Sequence, residues 1–537
     1  MNLSVRPDSA PLQQIAANLE QGAENIADDP SARDTASAPM TGSQSGSLES
    51  TSLVDFGGLF RPMNFLRDLP PEIDGGGEGW GWSSDTTVDG KNLDRAPLAI
   101  STDGGVAISR EVTWKLDSNG RRIETMDQVV ISTGGEADVV HVSQRKDGSL
   151  DVTVNGQSTN IVLEDGQELA IRTGGGDDKV TVEANVEVNV DIDSGDGDDV
   201  IIALGSGNDR ISAGGGDDTI TVAEGGNYVD GGRGDDTIVA TGGSSAVYGG
   251  YGDDTIIVTG NDNYIDAGRG NDKVTVNGDA NVIGAGRGND TITSNGDNTI
   301  YTGRGGSDVQ IHGGNATVYG QFGVFDMWHT DTVTVAGDAS VDQQQVDLPL
   351  FPADHPVNVE GSQEFQDRVE SDLDFLEASP AGQQMLEEFR QASANGHEVT
   401  ITELENERNG FASARDPGYI GSDNEGQGTD ATIRYNPEHF RPQDEFHSPV
   451  ITLYHEMSHA YNYVTGTLQP GEYDGPDTID DGVNNRERQA VGLETSNDPY
   501  DYDGDPSTPS TTHNPDELTE NGLRDEFGVA RREAYRR

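Results

Sequence analysis

Aspartates recur at Asp218, Asp236, Asp254, Asp272, Asp290 and Asp308, eighteen residues apart each time, and that interval limits the chain to few architectures. Around them, Gly231-Gly-Arg-Gly-Asp-Asp-Thr-Ile238 and Gly249-Gly-Tyr-Gly-Asp-Asp-Thr-Ile256 fill the pattern G-G-x-G-x-D-x-U, where U is apolar. Ala267-Gly-Arg-Gly-Asn-Asp-Lys-Val274 and Ala285-Gly-Arg-Gly-Asn-Asp-Thr-Ile292 depart from it at the first glycine. A short fixed period predicts a solenoid, because one unit cannot bury its apolar face until a neighbour stacks on it. The glycines allow left-handed turns, the closing Asp offers carboxylate oxygens, and the U residue starts a short strand with its side chain inward.

These motifs resemble the calcium-binding RTX repeat family. The resemblance implies a parallel β-roll in which two nine-residue units complete one turn, with one strong calcium loop per eighteen residues. The intervening loops, such as Gly260-Asn-Asp-Asn-Tyr-Ile265 and Gly278-Asp-Ala-Asn-Val-Ile283, keep Gly, Asn and an apolar residue but lose the fixed Asp. We therefore expect several calcium ions along one edge, held by the six aspartates, and Asn-lined turns along the other. A calcium-free solenoid is the alternative. Folding of the roll should be linked to calcium, whereas the region after it should fold without that help.

The chain has 537 residues, a net charge of −63, only 32% hydrophobic residues and no cysteine. Such acidity argues against nucleic acid or an anionic membrane as a partner and favours cations. Without cysteine there is neither a disulfide framework nor a thiol nucleophile, a composition that suits export. No apolar run is long enough to span a membrane, and the N-terminus lacks the basic-then-apolar layout of a cleaved signal peptide.

Five regions follow. Residues 1–52, with a short amphipathic stretch at Leu12, Ile15, Ala16, Leu19 and Ile26, read as a disordered export segment and a candidate binding site for a secretion chaperone. The segment resembles type III effector export signals, which implies delivery into host cells; type I secretion is the alternative route. Residues 53–126 read as an irregular and β cap, with an apolar cluster from Phe56 to Leu66, the run Gly75-Gly-Gly-Glu-Gly-Trp-Gly-Trp82 and a strand around Trp114. Residues 127–319 form the β-rich region with the roll. Residues 320–358, with Phe322, Phe325 and Trp328, form a cap and linker. Residues 359–537 alternate helical and strand patterns, as in a small α+β domain. The fold class is thus multidomain: a parallel β-solenoid, then an α+β domain in which the motif His455-Glu456-Met-Ser-His459 points to a zincin-like metallopeptidase.

The reason for a metallopeptidase is Ile451-Thr-Leu-Tyr-His-Glu-Met-Ser-His-Ala-Tyr461. On a helix, His455 and His459 project from one face and can share a zinc ion, while Glu456 lies beside the open position as general base. Ser448 can cap this helix and Pro449 suits its first turn. Upstream, Asp430-Ala-Thr-Ile-Arg-Tyr-Asn436 alternates like an edge strand along which substrate could lie. Asn462 and Thr465 stand where a metzincin has Gly and a third His. The third ligand is then a later glutamate, Glu487, with Glu494 as runner-up.

His455-Glu456-x-x-His459-Ala460, the downstream Glu-Arg-Gln-Ala-Val-Gly and Leu518-Thr-Glu-Asn-Gly-Leu-Arg-Asp-Glu-Phe-Gly528 together resemble the M91, NleD-like family of effector zinc metallopeptidases. The resemblance covers about residues 360 to 537. It implies His455, His459 and Glu487 as zinc ligands, Glu456 as base, and secreted effectors that cleave host signalling proteins. Tyr461, Tyr463, Tyr473, Arg486 and Arg488 are candidates to stabilise the oxyanion. Asp501-Tyr-Asp-Gly-Asp505 reads as a solvated acidic loop, and His439, His447 and His513 as surface or structural residues. Two other readings of the chain are a calcium-binding structural or adhesive protein with an inactive C-terminal domain, and a zinc hydrolase of non-peptide substrates.

Overall fold

The structure is a computed structural model and describes residues 72–74, 83–86, 92–100, 105–116, 120–223, 225–322, 330–348, 355–404, 410–421, 426–438, 448–476, 479–502, 507 and 509–536. The expected export segment 1–52, the Phe56–Leu66 cluster, the Gly75–Trp82 run, Phe325, Trp328, His439 and His447 lie outside the described residues.

Successive strands of the repeat go alternately to two parallel sheets, so that each eighteen-residue unit makes one turn. Thr219–Val222, Thr237–Thr241, Thr255–Thr259, Lys273–Asn277 and Thr291–Asn295 pair in register in one sheet. Tyr228–Arg233, Ala246–Tyr251, Tyr264–Arg269 and Val282–Gly284 do so in the other. Register puts Ile220, Ile238, Ile256, Val274 and Ile292 in one column and Val229, Val247, Ile265 and Ile283 in the facing one, all with no exposed surface. These columns are the core of the roll, one branched side chain per strand from each sheet.

The two edges of the stack differ as their loops do. Along one, the backbone N–H of each rung aspartate donates to Oδ1 of the aspartate one turn on: Asp218 to Asp236, Asp236 to Asp254, and Asp254 to Asp272 at 2.8 Å, and Asp272 to Asp290 at 3.0 Å. The ladder extends backwards to Asp199 and Asp178. Forwards the run of aspartates breaks after Asp290 and resumes at Asp331, which accepts the Ser307 N–H at 2.9 Å, and this corrects the position of Asp308. The turn after Asn281 is one residue short, so Ser307 fills the rung and its hydroxyl donates to Asp290 at 3.2 Å. Asp308 is displaced into the strand, opposite Thr291, where its carboxylate accepts from Thr332. Along the other edge, Ser245, Asn263 and Asn281 donate through their backbone N–H to Asn263, Asn281 and Asn298, each at 2.9 Å.

Antiparallel strands close the N-terminal end: Asn92–Ile100, Ala107–Leu116 and Arg122–Ser132 lead into the second sheet. Trp114 donates to Asp94 at 3.0 Å and lies under the Arg122 guanidinium, so it serves packing. At the other end the roll runs past 319, because Thr332–Val335 and Ser340–Gln345 each add a parallel strand to one of the sheets.

Helices α1 (Gln363–Ala378) and α2 (Pro380–Ala394) follow, started by the Ser362 and Ser379 caps. A four-stranded sheet then takes the order Asn358–Glu360, Val399–Glu403, Ala431–Tyr435, Gly410–Ala414. The strand Ala431–Tyr435, expected at the edge, is internal. Gly410–Ala414 folds back antiparallel on its outer side and takes the edge instead. Helices α3 (Pro449–Thr465), α4 (Asn485–Val491) and α5 (Glu520–Phe527) complete the domain.

This domain is not separate from the roll, and residues 64–537 are one compact unit. The roll supplies Tyr228, Tyr248, Tyr264 and Tyr301 to the same apolar cluster as Phe375, Leu386, Tyr454 and Phe527. Beside this, an arginine column from the repeat's third position meets acidic side chains of α1. Arg233 pairs with Asp367 at 2.5 Å, Arg269 with Glu370 at 3.0 Å and Asp374 at 2.9 Å, Arg287 with Asp374, and Arg304 with Glu377 at 2.6 Å. The C-terminal region thus shares its apolar cluster with the outer face of the roll.

Candidate metal centre

Helix α3 begins at Ser448, whose side chain makes no cap hydrogen bond, with Pro449 in the first turn, and ends at Gly466 in the left-handed region. Its buried face carries His455, Glu456 and His459, each no more than 9% exposed. The four-residue spacing sets the two imidazoles on one side with ring centroids 4.9 Å apart. Helix α4 brings Glu487 to them. Its Oε2 is 3.0 Å from His459 Nε2 and 3.8 Å from His455 Nε2. One donor atom of each of the three residues lies within 4.8 Å of the others. Glu494 does not approach; its carboxylate accepts from the Thr512 hydroxyl at 2.7 Å.

Two nitrogens and one carboxylate oxygen converging on a point suit zinc, and the surroundings fit that use. Glu520 of α5 accepts from His455 Nδ1 at 3.0 Å, which leaves Nε2 to face the centre. Glu520 is in turn held by Arg524 at 2.9 Å and Arg532 at 3.1 Å. Burial raises the Glu487 carboxylate, but His459 and His455 outweigh it and hold the group well below the usual range. Burial lowers His455, but the nearby Glu487 carboxylate and the hydrogen bond to Glu520 raise it to about 10.

Glu456 lies beneath the edge strand: a Cβ added to Gly410 would stand 3.2 Å from its Cγ. Glycine here lets the strand pass close over the base. The resulting cleft, about 330 Å³, is lined by Gly410, Phe411 and Ala412 of the strand and by Arg486 and Tyr535. Of the expected oxyanion donors, Tyr463 and Arg486 line it. Arg488 is instead buried over the Tyr473 ring and ion-paired to Asp480, and Tyr461 lies in the apolar cluster. His513 bonds the Asn514 carbonyl, outside the cleft. Sequence reasoning missed Glu520, Arg532 and Tyr535. The first stands in the quoted Leu518–Gly528 block, and the other two carry no local signal.

A second group, His355, Asp374 and Glu377, also converges. Its carboxylates already face Arg269, Arg287 and Arg304, and three guanidiniums oppose a cation there.

In the roll, Oδ2 of Asp178, Asp199, Asp218, Asp236, Asp254 and Asp272 is buried with no hydrogen-bond partner. A Cβ built on Gly231 would lie 2.5 Å from Asp236 Oδ2 and 2.6 Å from the Gly249 carbonyl oxygen. One on Gly249 would lie 2.5 Å from Asp254 Oδ2 and 2.4 Å from the Ala267 carbonyl. An unpartnered carboxylate oxygen facing a carbonyl across a gap one atom wide fits calcium, which takes oxygen ligands at about 2.3–2.6 Å. Burial pushes these carboxyls up, Asp254 to about 9, Asp236 and Asp272 to about 8, and Asp218 and Asp290 to about 7.

Comparison with known families finds two matches along the chain. Residues 353–535 match the peptidase M91 effector-protein family. Four stretches, 193–229, 204–238, 230–260 and 257–292, match the RTX calcium-binding nonapeptide repeat. No curated protein and no solved structure matches the chain. The two family matches describe an effector-type peptidase with calcium-binding repeats, a combination that goes with secretion.

Proposed function

We propose that the chain is a zinc-dependent endopeptidase of secreted-effector type, acting on host proteins and carried on a calcium-loaded roll. The observation that carries this reading is the convergence of His455, His459 and Glu487 beside Glu456, beneath the edge strand of the sheet. His455, His459 and Glu487 would hold zinc, which supplies Lewis acidity and makes a water molecule acidic at neutral pH. Glu456 takes the proton of the attacking water and passes it to the leaving amine. Gly410–Ala414 aligns an extended substrate by backbone pairing, so one peptide bond comes to rest over the base. Glu520 fixes the orientation of His455, and Arg486, 3.1 Å from Glu487 Oε1, fixes that carboxylate. The N-terminal segment would serve export into host cells by a type III-like route.

The test is cleavage of a mixed peptide library by the full chain, with metal content measured in parallel. About one zinc per chain and chelator-sensitive cleavage are expected. Glu456→Gln should keep the zinc and lose at least about a hundredfold in turnover. Undiminished cleavage by that variant removes Glu456 as the base, and a parent chain binding calcium alone refutes the enzyme.

A further inference from the structure

The cleft over the three ligand residues and Glu456 is lined by two phenols, Tyr463 and Tyr535. We infer that Tyr535 is a catalytic residue of this site, the hydrogen-bond donor to the oxyanion that forms when water adds to the scissile carbonyl. The inference rests on the peptidase reading above.

Three observations carry it. The first is position. Tyr535 lines the same cleft as the three ligands, its ring centroid is 6.3 Å from that of His455, and its phenol lies close to the Glu487 carboxylate. Glu456 lies under Gly410 of the edge strand. When water activated by Glu456 adds to a carbonyl held in this cleft, the charge that develops on the carbonyl oxygen comes within reach of the Tyr535 phenol. A donor aimed where charge develops lowers the barrier more than it strengthens ground-state binding.

The second is the way the residue is held. Asp480, with no exposed surface, accepts the backbone N–H of Tyr535 and of Arg536, both at 2.8 Å, and is neutralised by Arg488. Three residues earlier, Arg532 and Asn521 exchange backbone-to-amide hydrogen bonds at 2.7 and 3.0 Å. The Arg532 guanidinium lies 4.9 Å over the Tyr535 ring while bonding Glu520. Residues 532–536 are therefore gripped at two points, and the grip leads through Glu520 to His455. A surface tyrosine with no task needs no such support; a donor that must be in place before the reaction does.

The third is elimination. Tyr463 directs its hydroxyl to the Ala412 carbonyl at 3.4 Å, on the strand side, and Arg486 is engaged with Glu487. Arg532 is bound to Glu520 and acts through it as a positioning residue.

When water adds, the new C–O bond forms as the carbonyl π pair moves onto oxygen, and Glu456 holds the water's proton. The Tyr535 O–H donates to that oxygen without transferring its proton. Collapse then restores the carbonyl, breaks the C–N bond and returns the proton from Glu456 to the amine.

The experiment compares Tyr535→Phe with the parent chain and with Glu456→Gln, measuring zinc content, kcat and KM on a quenched peptide library, and inhibition by a phosphonamidate peptide. The phenyl ring is retained under Arg532, so the fold and the zinc should be unchanged. We expect kcat to fall by about tenfold to a hundredfold with KM within about twofold, and the phosphonamidate to lose a similar factor in affinity. A kcat within about twofold of the parent overturns the assignment, as does loss of zinc, which would make Tyr535 a support for Glu487. If Glu456→Gln abolishes cleavage while Tyr535→Phe does not, the peptidase reading stands without this donor. A parent chain with neither zinc nor cleavage removes both.

Discussion

Asp254 stands in the middle of the rung ladder, and replacing it with Asn separates the two things a rung does. Its Oδ1 accepts the Asp236 N–H at 2.8 Å, a task that an amide oxygen performs equally well. Its Oδ2 is buried without a partner. Burial first, and the neighbouring Asp272 and Asp236 after it, raise the group from 3.8 to about 9. A raised carboxyl means that the folded, calcium-free chain holds a proton which the unfolded chain releases. The stability it contributes is complete below the ordinary value, falls as pH rises towards 9, and has lost roughly 4 kcal/mol by about pH 7. The other rungs act in the same direction but share neighbours, so their contributions do not add. Calcium replaces those protons, and its binding at neutral pH should release them.

The chain already contains the neutral version of this ladder. Along the opposite edge Asn281 accepts the Asn263 N–H at 2.9 Å through Oδ1, while its Nδ2 donates to the Gly260 carbonyl at 3.1 Å. Asp254→Asn should therefore melt above the parent in excess chelator at about pH 8, by several degrees, and below it in saturating calcium. Circular dichroism melts from about pH 5 to pH 9, with and without calcium, read both effects. Calorimetry in two buffers of different ionisation enthalpy reads the proton release. A calcium-free parent whose melting point rises with pH over this range, or a variant that melts lower in both conditions, would refute the account.

Glu487→Ala should lose zinc on desalting while Glu494→Ala retains it, because only the first faces the two histidines; mass spectrometry of the metal decides between them. Asp374→Ala should lower the calcium-loaded melting point by the equivalent of about 3 kcal/mol, since it strands the Arg287 guanidinium and removes one of the two carboxylates that Arg269 meets. The exposed pair Arg390–Glu387 is the control, and Glu387→Ala should shift stability by less than about 0.5 kcal/mol.

The roll was legible in the sequence because its period is local: each turn repeats the same Gly and Asp requirements, whatever lies elsewhere. The misplacement of Asp308 shows the limit of that reasoning. An interval counts residues, whereas the ladder counts turns, and one turn of seventeen residues hands the rung to Ser307. His455, Glu456 and His459 were equally legible, since one helix places all three. Choosing the edge strand was not possible by pattern, because Ala431–Tyr435 alternates in burial whether or not a fifth-rate partner such as Gly410–Ala414 covers its outer side. Glu520 and Tyr535 reach the centre from 65 and 80 residues beyond His455, and only tertiary packing brings them there.

The arginine column belongs to both categories, and it links the two halves of the chain. Its residues stand out in Gly-Arg-Gly, yet their role depends on a partner with a matching period. Helix α1 supplies it: Asp367, Glu370, Asp374 and Glu377 lie three or four residues apart and so share one face. A helix advances about 5.4 Å per turn and neighbouring strands lie about 4.8 Å apart, so carboxylates and arginines stay in step for several turns. Where the repeat has Tyr251 instead of Arg, its hydroxyl still reaches Glu370 at 3.4 Å. From this dock the contacts run to the metal centre. Thr299 of the roll donates to the Phe527 carbonyl at the end of α5, and Glu526 of α5 accepts from Ala381 at the start of α2. Tyr454, one residue before the first histidine, donates to the Ala381 carbonyl at 2.8 Å. Helix α5 also carries Glu520, the partner of His455. Stacking of the turns creates the arginine column and the tyrosine face together, and both are needed to seat α1 and α5. The order of the roll is thus transmitted to the ligands by packing, which makes the calcium ladder part of the support of the peptidase centre.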